Sequence, residues 1–333
     1  MSATTTGPDR PVARRRDLPL LVFVGVVVLV VVASFVGAKA LTSGSRSPES
    51  RAAAAVQQYL EALTAGDAGK ALSYAATPPA DTSLLTDEVL RASQELAPLA
   101  DITVVPGGTE SRVDVTFTRG GEPGSDTYRV TRTDDGYKLD QVSGTVSFVT
   151  AGNDELPLLA NGVEVTTSTV ELFPGAYAFT TGLPNVDWGD DARATVRISL
   201  PSDVPRLAPR VTAAGKKAFV AGAKKIVSAC TAKRQLNPSS SCPFGLRQPT
   251  SGPKVPDSTV RWRLEGNPWG AVDDPTISSF IDPGVAKAST SMTFVCTCRY
   301  STGEACLPQR VTNRVTFAAD LTTDPMKVAF SSF

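Results

Sequence analysis

The sequence predicts an α+β protein built from a single N-terminal transmembrane helix, an α+β domain, a small antiparallel β module and a second α+β region that contains disulfides. Three observations predict this class. An uncharged apolar run occupies residues 18–38. Two later stretches each place apolar residues at helical spacing first and at alternate positions afterwards, the order expected of helices packed on an antiparallel sheet. All five cysteines fall in the second of these stretches.

The predicted transmembrane helix covers residues 18–41. At 1.5 Å per residue its uncharged run spans about 31 Å, the thickness of the hydrocarbon core of a bilayer. More basic residues precede the run than follow it closely, so the positive-inside rule places residues 1–17 in the cytoplasm and the later domains outside the cell membrane. The preceding basic residues are Arg10, Arg14, Arg15 and Arg16.

A cleaved signal peptide is the alternative interpretation of this segment. Ala38, Lys39 and Ala40 resemble a small-x-small cleavage site after a basic region. The apolar run is longer than the roughly 7 to 15 residues usual for a signal peptide, and this length favours a retained anchor.

The composition excludes several classes of function. The chain of 333 residues carries 33 basic and 33 acidic residues and no histidine. This balance argues against a nucleic-acid partner, and the missing histidine removes Ser-His-Asp and Cys-His nucleophiles and His-ligated metals. One Ser-x-x-Lys string, from Ser251 to Lys254, contains Gly-Pro and therefore cannot form the helix that a nucleophile motif needs. We expect neither an enzyme nor a bound cofactor or metal.

Composition shifts divide the predicted extracytoplasmic part. Residues 42–50 are rich in serine, which predicts a polar linker. An α+β domain is expected over 51–142, the β module over 143–205 with its Gly, Pro and Asn turns, and the second α+β region over 206–333.

The domain at 51–142 begins with helical periodicity. Four apolar residues spaced i, i+3, i+4 and i+7 predict an amphipathic helix that ends near Gly66, after which Asp67 can cap a short second helix. A third helix is predicted over 84–97, and apolar residues at alternate positions predict a strand over 112–118. The four residues that define the first helix are Val56, Tyr59, Leu60 and Leu63.

This pattern resembles the cone-shaped domains of the nuclear transport factor 2 superfamily. The resemblance rests on the motif Val56-x-x-Tyr59-Leu60-x-Ala62-Leu63-x-x-Gly66-Asp67 and on a terminal hairpin at residues 136–139. It implies a curled sheet with a helix-lined pocket, which some members use for catalysis and many use for packing or association. No acid or base of the enzymatic members matches this chain. The residues expected to line such a pocket are Tyr59, Leu63, Leu85, Val115 and Phe117.

Two turns in the β module resemble short PEGA-type surface domains. One is Asn161-Gly162-Val163, and the other is Phe173-Pro174-Gly175-x-Tyr177, in which a proline-glycine turn leads into a strand. The resemblance implies a strand with an inward-facing Tyr177.

The five cysteines are expected on the oxidising side of the membrane, where disulfides persist. Two bridges leave fifteen connectivities open. We favour Cys230 with Cys242 and Cys298 with Cys306, which leaves Cys296 as a buried free thiol. The exchange of Cys296 for Cys298 remains open, as does a redox or cysteine-only zinc site.

Two functions from different classes follow. The first is a non-enzymatic, single-pass envelope protein whose outer domains bind another envelope protein or a wall polymer. The second is binding or processing of a small molecule or lipid in the pocket of the cone-like domain. A helix predicted over 211–232 also carries Lys216, Lys217, Lys224 and Lys225, which we interpret as a solvated face, with contact to an acidic wall polymer as the alternative.

Overall fold

The computed structural model describes residues 47–148, 156–278 and 282–331. Its α-helices in this part of the chain are α1 Pro48–Ala65, α2 Ala68–Leu72, α3 Asp87–Leu96 and α4 Ala213–Thr231. Its strands are β1 Leu99–Thr109, β2 Arg112–Arg119, β3 Glu122–Thr133, β4 Gly136–Leu139, β5 Gly144–Ser147, β6 Leu159–Ala160, β7 Val163–Glu164, β8 Thr169–Leu172, β9 Gly175–Thr180, β10 Val186–Asp187, β11 Arg193–Val196, β12 Arg210–Val211, β13 Arg261–Glu265, β14 Thr276–Ser278, β15 Asp282–Thr297, β16 Gln309–Asp320 and β17 Lys327–Phe330.

The predicted fold class is wrong. The chain is mixed but rich in strands, and among the described residues no helix combines the length and the apolar character needed to cross a membrane. The segments predicted as cytoplasmic tail (1–17) and transmembrane helix (18–41) lie outside the described residues. Strands are abundant because valine and threonine recur at alternate positions after β1, and β-branched side chains favour extended backbone.

Helix α1 begins earlier than predicted. Residues 48–50, predicted as part of the linker, form its first turn. The Ser47 side chain caps the helix by accepting a hydrogen bond from Ser50 N, and Pro48 is the first helical residue. The helix ends at Gly66, whose φ of 69° is left-handed. Asp67 then caps α2 by accepting from Lys70 N at 2.8 Å, as the sequence predicts.

The first sheet has the order β1-β2-β3-β4 with antiparallel neighbours. Helix α1 packs on this sheet through its buried face. Helix α3 begins at Asp87 rather than near residue 84, because the Thr86 side chain caps it by accepting from Val89 N. Buried residues from these elements form one apolar cluster, the first core. Its largest members include Tyr59, Leu60, Leu63, Leu90 and Tyr128.

The middle of the chain forms short strands arranged as β11-β9-β6-β7, together with the pairs β5-β8 and β10-β12. Strands β6 and β7 are joined by Asn161 and Gly162, which both have positive φ, the geometry of a tight two-residue hairpin turn. Trp188 is buried and donates from Nε1 to the carbonyl oxygen of Pro157, two residues before β6, at 3.2 Å.

The C-terminal sheet has the order β13-β15-β16-β17, and β14 pairs with β15. Helix α4 starts at the cap residue Thr212 and packs against β17 and β13. The inner face of this sheet contributes Trp262, Phe294 and Phe317 to a second apolar cluster that also includes the buried side chains of the middle strands. The opposite face of the sheet is the outer face.

Candidate functional site

The residues expected to line a pocket lie together in the first core. Tyr59, Leu63, Leu85, Val115 and Phe117 are all buried there. Phe173, from the segment between β8 and β9, is 1% exposed and belongs to the same cluster. These side chains therefore pack against one another and against Phe173.

The segment that carries Phe173 is fixed by polar contacts to the first sheet and to α3. Ser93 Oγ accepts from Ala176 N at 3.1 Å, and Tyr177 Oη donates to Phe173 O at 2.8 Å. Arg119 donates from Nη2 to Pro174 O at 3.3 Å, and burial lowers the pKa of this guanidinium. Tyr177 is buried.

Asp126 makes a second connection between the first sheet and the middle strands. This buried carboxylate accepts from the backbone N–H groups of Ile198 and Ser199, each at 2.8 Å, and from Thr127 N at 2.9 Å. Two of its hydrogen bonds thus reach a segment more than seventy residues later in the chain.

Two disulfides close loops in the C-terminal region. Cys230 bonds Cys242 with a Cα–Cα distance of 5.8 Å, and Cys298 bonds Cys306 at 5.2 Å. Cys296 is a buried free thiol, and burial raises its pKa. This is the pairing favoured from the sequence. Both bridges close loops of the folded chain. Because burial raises the pKa of the Cys296 thiol, less of it is present as the reactive thiolate at neutral pH.

Three of the lysines singled out in the sequence have structural partners. Lys254 Nζ donates to Pro249 O at 2.8 Å, so the string from Ser251 to Lys254 lies in a loop. Lys216 forms an ion pair with Asp274 at 2.5 Å, and Lys224 lies 5.5 Å from the centre of the Trp269 ring. Among the residues that the structure describes, no group of three His, Cys, Asp or Glu side chains is arranged to hold a metal ion.

The outer face of the C-terminal sheet carries an excess of positive charge. In an antiparallel sheet, directly paired residues point to the same side, so the register defines this face. Arg263 pairs with Val295, which pairs with Arg310, and Ser291 pairs with Arg314. Continuing this register gives the cationic residues Arg261, Arg263, Lys287, Arg310, Arg314 and Lys327, against the acidic residues Glu265 and Asp320.

Hydroxyl groups lie between these charges. Thr293 Oγ1 and Thr312 Oγ1 are 2.9 Å apart, and Ser289 Oγ and Thr316 Oγ1 are 2.7 Å apart. Each pair spans β15 and β16, whose register is continuous over all their paired residues. The outer face therefore combines a continuous strand register, hydroxyl donors and an excess of cationic over acidic side chains.

Glu265 organises one corner of the outer face. It accepts from Arg310 Nε at 3.0 Å and Nη2 at 3.3 Å, and it lies 3.7 Å from an Arg263 nitrogen. The hydrogen bonds from Arg310 lower the pKa of Glu265, and the same contact raises the pKa of Arg310. In the described part of the chain, Arg314, Lys287 and Lys327 form no ion pair with an acidic side chain.

The chain matches no known family model, no curated protein and no solved structure. The resemblances to the nuclear transport factor 2 superfamily and to PEGA-type domains therefore remain predictions.

The outer face is not predicted by the sequence. Its signal was present at alternate positions, as Arg261-x-Arg263-x-Glu265 and as Arg310-x-Thr312-x-Arg314-x-Thr316. Only the register shows that the polar sides of these strands lie next to one another.

Proposed function

We propose that this protein acts outside the cytoplasm as a non-enzymatic binding protein, and that the outer face of its C-terminal sheet binds an anionic polymer of the cell envelope. The observation that carries the proposal is the excess of six cationic over two acidic side chains on one sheet face. The whole chain has no net charge, so this excess is local. A local cluster of one sign attracts a polyanion and raises its rate of association.

The chemistry of the face supports a polymer that carries phosphate. Arginine and lysine bind phosphate oxygens through charge-assisted hydrogen bonds, and serine and threonine hydroxyls add neutral donors. The charges and hydroxyls follow the strands in rows, which fits an extended chain with repeated anionic groups better than a single small anion.

Two further observations support the proposed location outside the cytoplasm and the proposed binding role. Disulfides persist in oxidising compartments, and the structure has two of them. The residues expected to line the pocket of the first domain instead pack together with Phe173, which supports binding at a surface over ligand processing in that pocket.

The test is the affinity of the purified protein for fluorescent poly(glycerol phosphate), with dextran of the same length as a neutral control. The double substitution Lys287→Gln/Arg314→Gln removes two outer-face charges that have no ion-pair partner in the described residues. We expect it to weaken binding about tenfold at low salt. Raising the salt from about 50 mM to about 0.5 M is expected to abolish the difference by screening.

Lys217→Gln/Lys225→Gln is the matched control, because it removes the same charge from exposed positions on α4. This control also tests whether the lysines of α4 bind the polymer. Equal weakening by the two double variants, or equal affinity for dextran, would overturn the proposal.

A further inference from the structure

Strand β16 is only partly covered at the edge of the C-terminal sheet. It runs from Gln309 to Asp320 and pairs with β15 along this whole length. On its other side β17 pairs only with residues 317–320, and one further hydrogen bond joins Ser331 N to Thr316 O at 2.9 Å. The part of β16 before Thr316 has no neighbouring strand among the described residues.

The backbone groups on this open edge follow from the register. In an antiparallel strand the N–H and C=O of one residue point to the same side, and successive residues alternate. Because Thr316 O accepts from Ser331, the backbone groups of Thr316 point toward β17. Those of Arg314, Thr312 and Arg310 point the same way, and all three residues are exposed. They present three N–H donors and three C=O acceptors in a row.

A groove of about 840 Å³ lies beside this edge, on the inner side of the sheet. Its walls include Ile226 of α4, the disulfide-bonded Cys230, Val315, Val328 and Phe330. A strand that continued the sheet next to β16 would place alternate side chains toward this groove and the others toward the outer face.

The surroundings of the edge define the chemistry of a partner. Arg314 is exposed on the outer face, and Lys233 lines the groove. Leu307, two residues before β16, is 80% exposed. The strand itself contains no proline and no bulge, two of the features that block an edge. An occupant with acidic and apolar residues in alternation fits this combination.

We propose that an extended segment of a partner protein, with alternating acidic and apolar residues, adds as a strand to β16 beside Arg310 and Thr312. Backbone hydrogen bonds supply the affinity, and the groove and the basic side chains supply the specificity. This site goes beyond the proposed polymer binding, which uses side chains of the outer face and not the backbone edge.

A second copy of the chain fits the edge less well. Antiparallel pairing of two copies about Thr312 would place Arg310 of one copy opposite Arg314 of the other. Like charges directly opposite each other destabilise a strand pair. The charge of the edge therefore favours an acidic partner over self-association.

The test measures amide hydrogen exchange at Arg310 and Thr312 in the full protein, with a heptapeptide of alternating glutamate and valine as the probe. We expect the peptide to slow exchange of both amides about tenfold, because they become hydrogen-bonded. The same peptide with lysine in place of glutamate should give no protection. Poly(glycerol phosphate) should leave both amides unchanged, which separates this site from the polymer site.

Thr312→Pro provides the decisive variant. It removes an edge N–H and leaves the hydrogen bonds between β15 and β16 in place, because the N–H of this residue points away from β15. Thr312→Ala loses the same hydroxyl and keeps the N–H, so it should bind the peptide like the natural chain. If Thr312→Pro does not fold, a peptide with N-methyl groups at alternate residues tests the natural protein in its place.

Three results would overturn the proposal. The first is unchanged exchange with the acidic peptide, and the second is equal protection by the N-methylated peptide or equal binding by Thr312→Pro. The third is protection that rises with protein concentration in the absence of peptide, which would assign the edge to a second copy of the chain.

Discussion

Gly175 lies so close to Ser93 that a Cβ atom at position 175 would overlap the Ser93 hydroxyl. Ser93 is fully buried in α3, and its hydroxyl already accepts from Ala176 N. This close approach is what allows the segment before β9 to lie against α3 and to place Phe173 in the first core. The contact thus ties the middle strands to the first sheet.

The first prediction is that Gly175→Ala destabilises the protein by about 1–3 kcal/mol, the usual cost of overpacking a buried site. Chemical denaturation followed by tyrosine and tryptophan fluorescence measures the change. Combining it with Ser93→Gly, which removes the side chain in the way, should recover part of the loss. Additive destabilisation in the double variant would show that the two residues do not clash.

Short-range features of the fold could be predicted from the sequence. The end of α1 at Gly66 and the cap of α2 at Asp67 follow from local chemistry that does not depend on the rest of the chain. A short turn also predicts that Cys306 bonds a cysteine of the preceding strand, and the structure selects Cys298 over Cys296.

Long-range features could not be predicted in this way. Phe173 joins the first core although it lies outside the segment assigned to that domain, and no local pattern marks such an insertion. The outer face depends on which residues of β13, β15 and β16 stand opposite one another. Alternation predicts that each strand has a polar side, and only the register brings those sides together.

The second prediction concerns the buried Asp126. Asp126→Ala leaves the N–H groups of Ile198 and Ser199 without their acceptor, and each loss of a hydrogen bond to a charged group costs about 1.5–3 kcal/mol. We therefore expect destabilisation on the order of 3 kcal/mol, measured by urea denaturation.

Asp126→Asn is the control for this prediction. Asparagine keeps one acceptor oxygen with the same shape and loses the other, so it should destabilise less than alanine. Equal stability of the alanine variant and the natural protein would show that water replaces the carboxylate at these two N–H groups.

The third prediction concerns Cys296, the free thiol. It is 1% exposed, and burial raises its pKa, so the reactive thiolate is scarce at pH 8. We expect iodoacetamide to leave Cys296 unmodified in the folded protein and to modify it in denaturant without a reductant. Peptide mass spectrometry identifies the labelled residue. Labelling of Cys298 or Cys306 in the folded protein would contradict the observed disulfide.

The fourth prediction concerns the Cys230–Cys242 bridge. Replacing both residues by serine opens a loop with a sequence separation of 12, and the chain-entropy model assigns about 3 kcal/mol to closing such a loop. The double variant should unfold at lower denaturant concentration by that free energy. The single variant Cys296→Ser breaks no disulfide and serves as a control for cysteine replacement in the same region.

The last prediction uses Glu265 to separate charge from structure on the outer face. Glu265→Gln removes one of the two acidic side chains there, so affinity for poly(glycerol phosphate) should rise about threefold at pH 7 and low salt. The pKa of Glu265 is held below its ordinary value of 4.5 by the hydrogen bonds from Arg310. Its charge, and its contribution to stability, are therefore present above that value and are lost only as the pH falls through the lowered pKa.

The natural protein should consequently bind the polymer more tightly as the pH falls through the lowered pKa of Glu265, while the Glu265→Gln variant shows a smaller rise. The phosphodiester groups of the polymer stay ionised throughout this range, so the change belongs to the protein. Asp320→Asn, the other acidic position on the outer face, should raise the affinity at pH 7 in the same direction. If both variants bind the polymer as the natural protein does, the charge of the outer face does not determine binding.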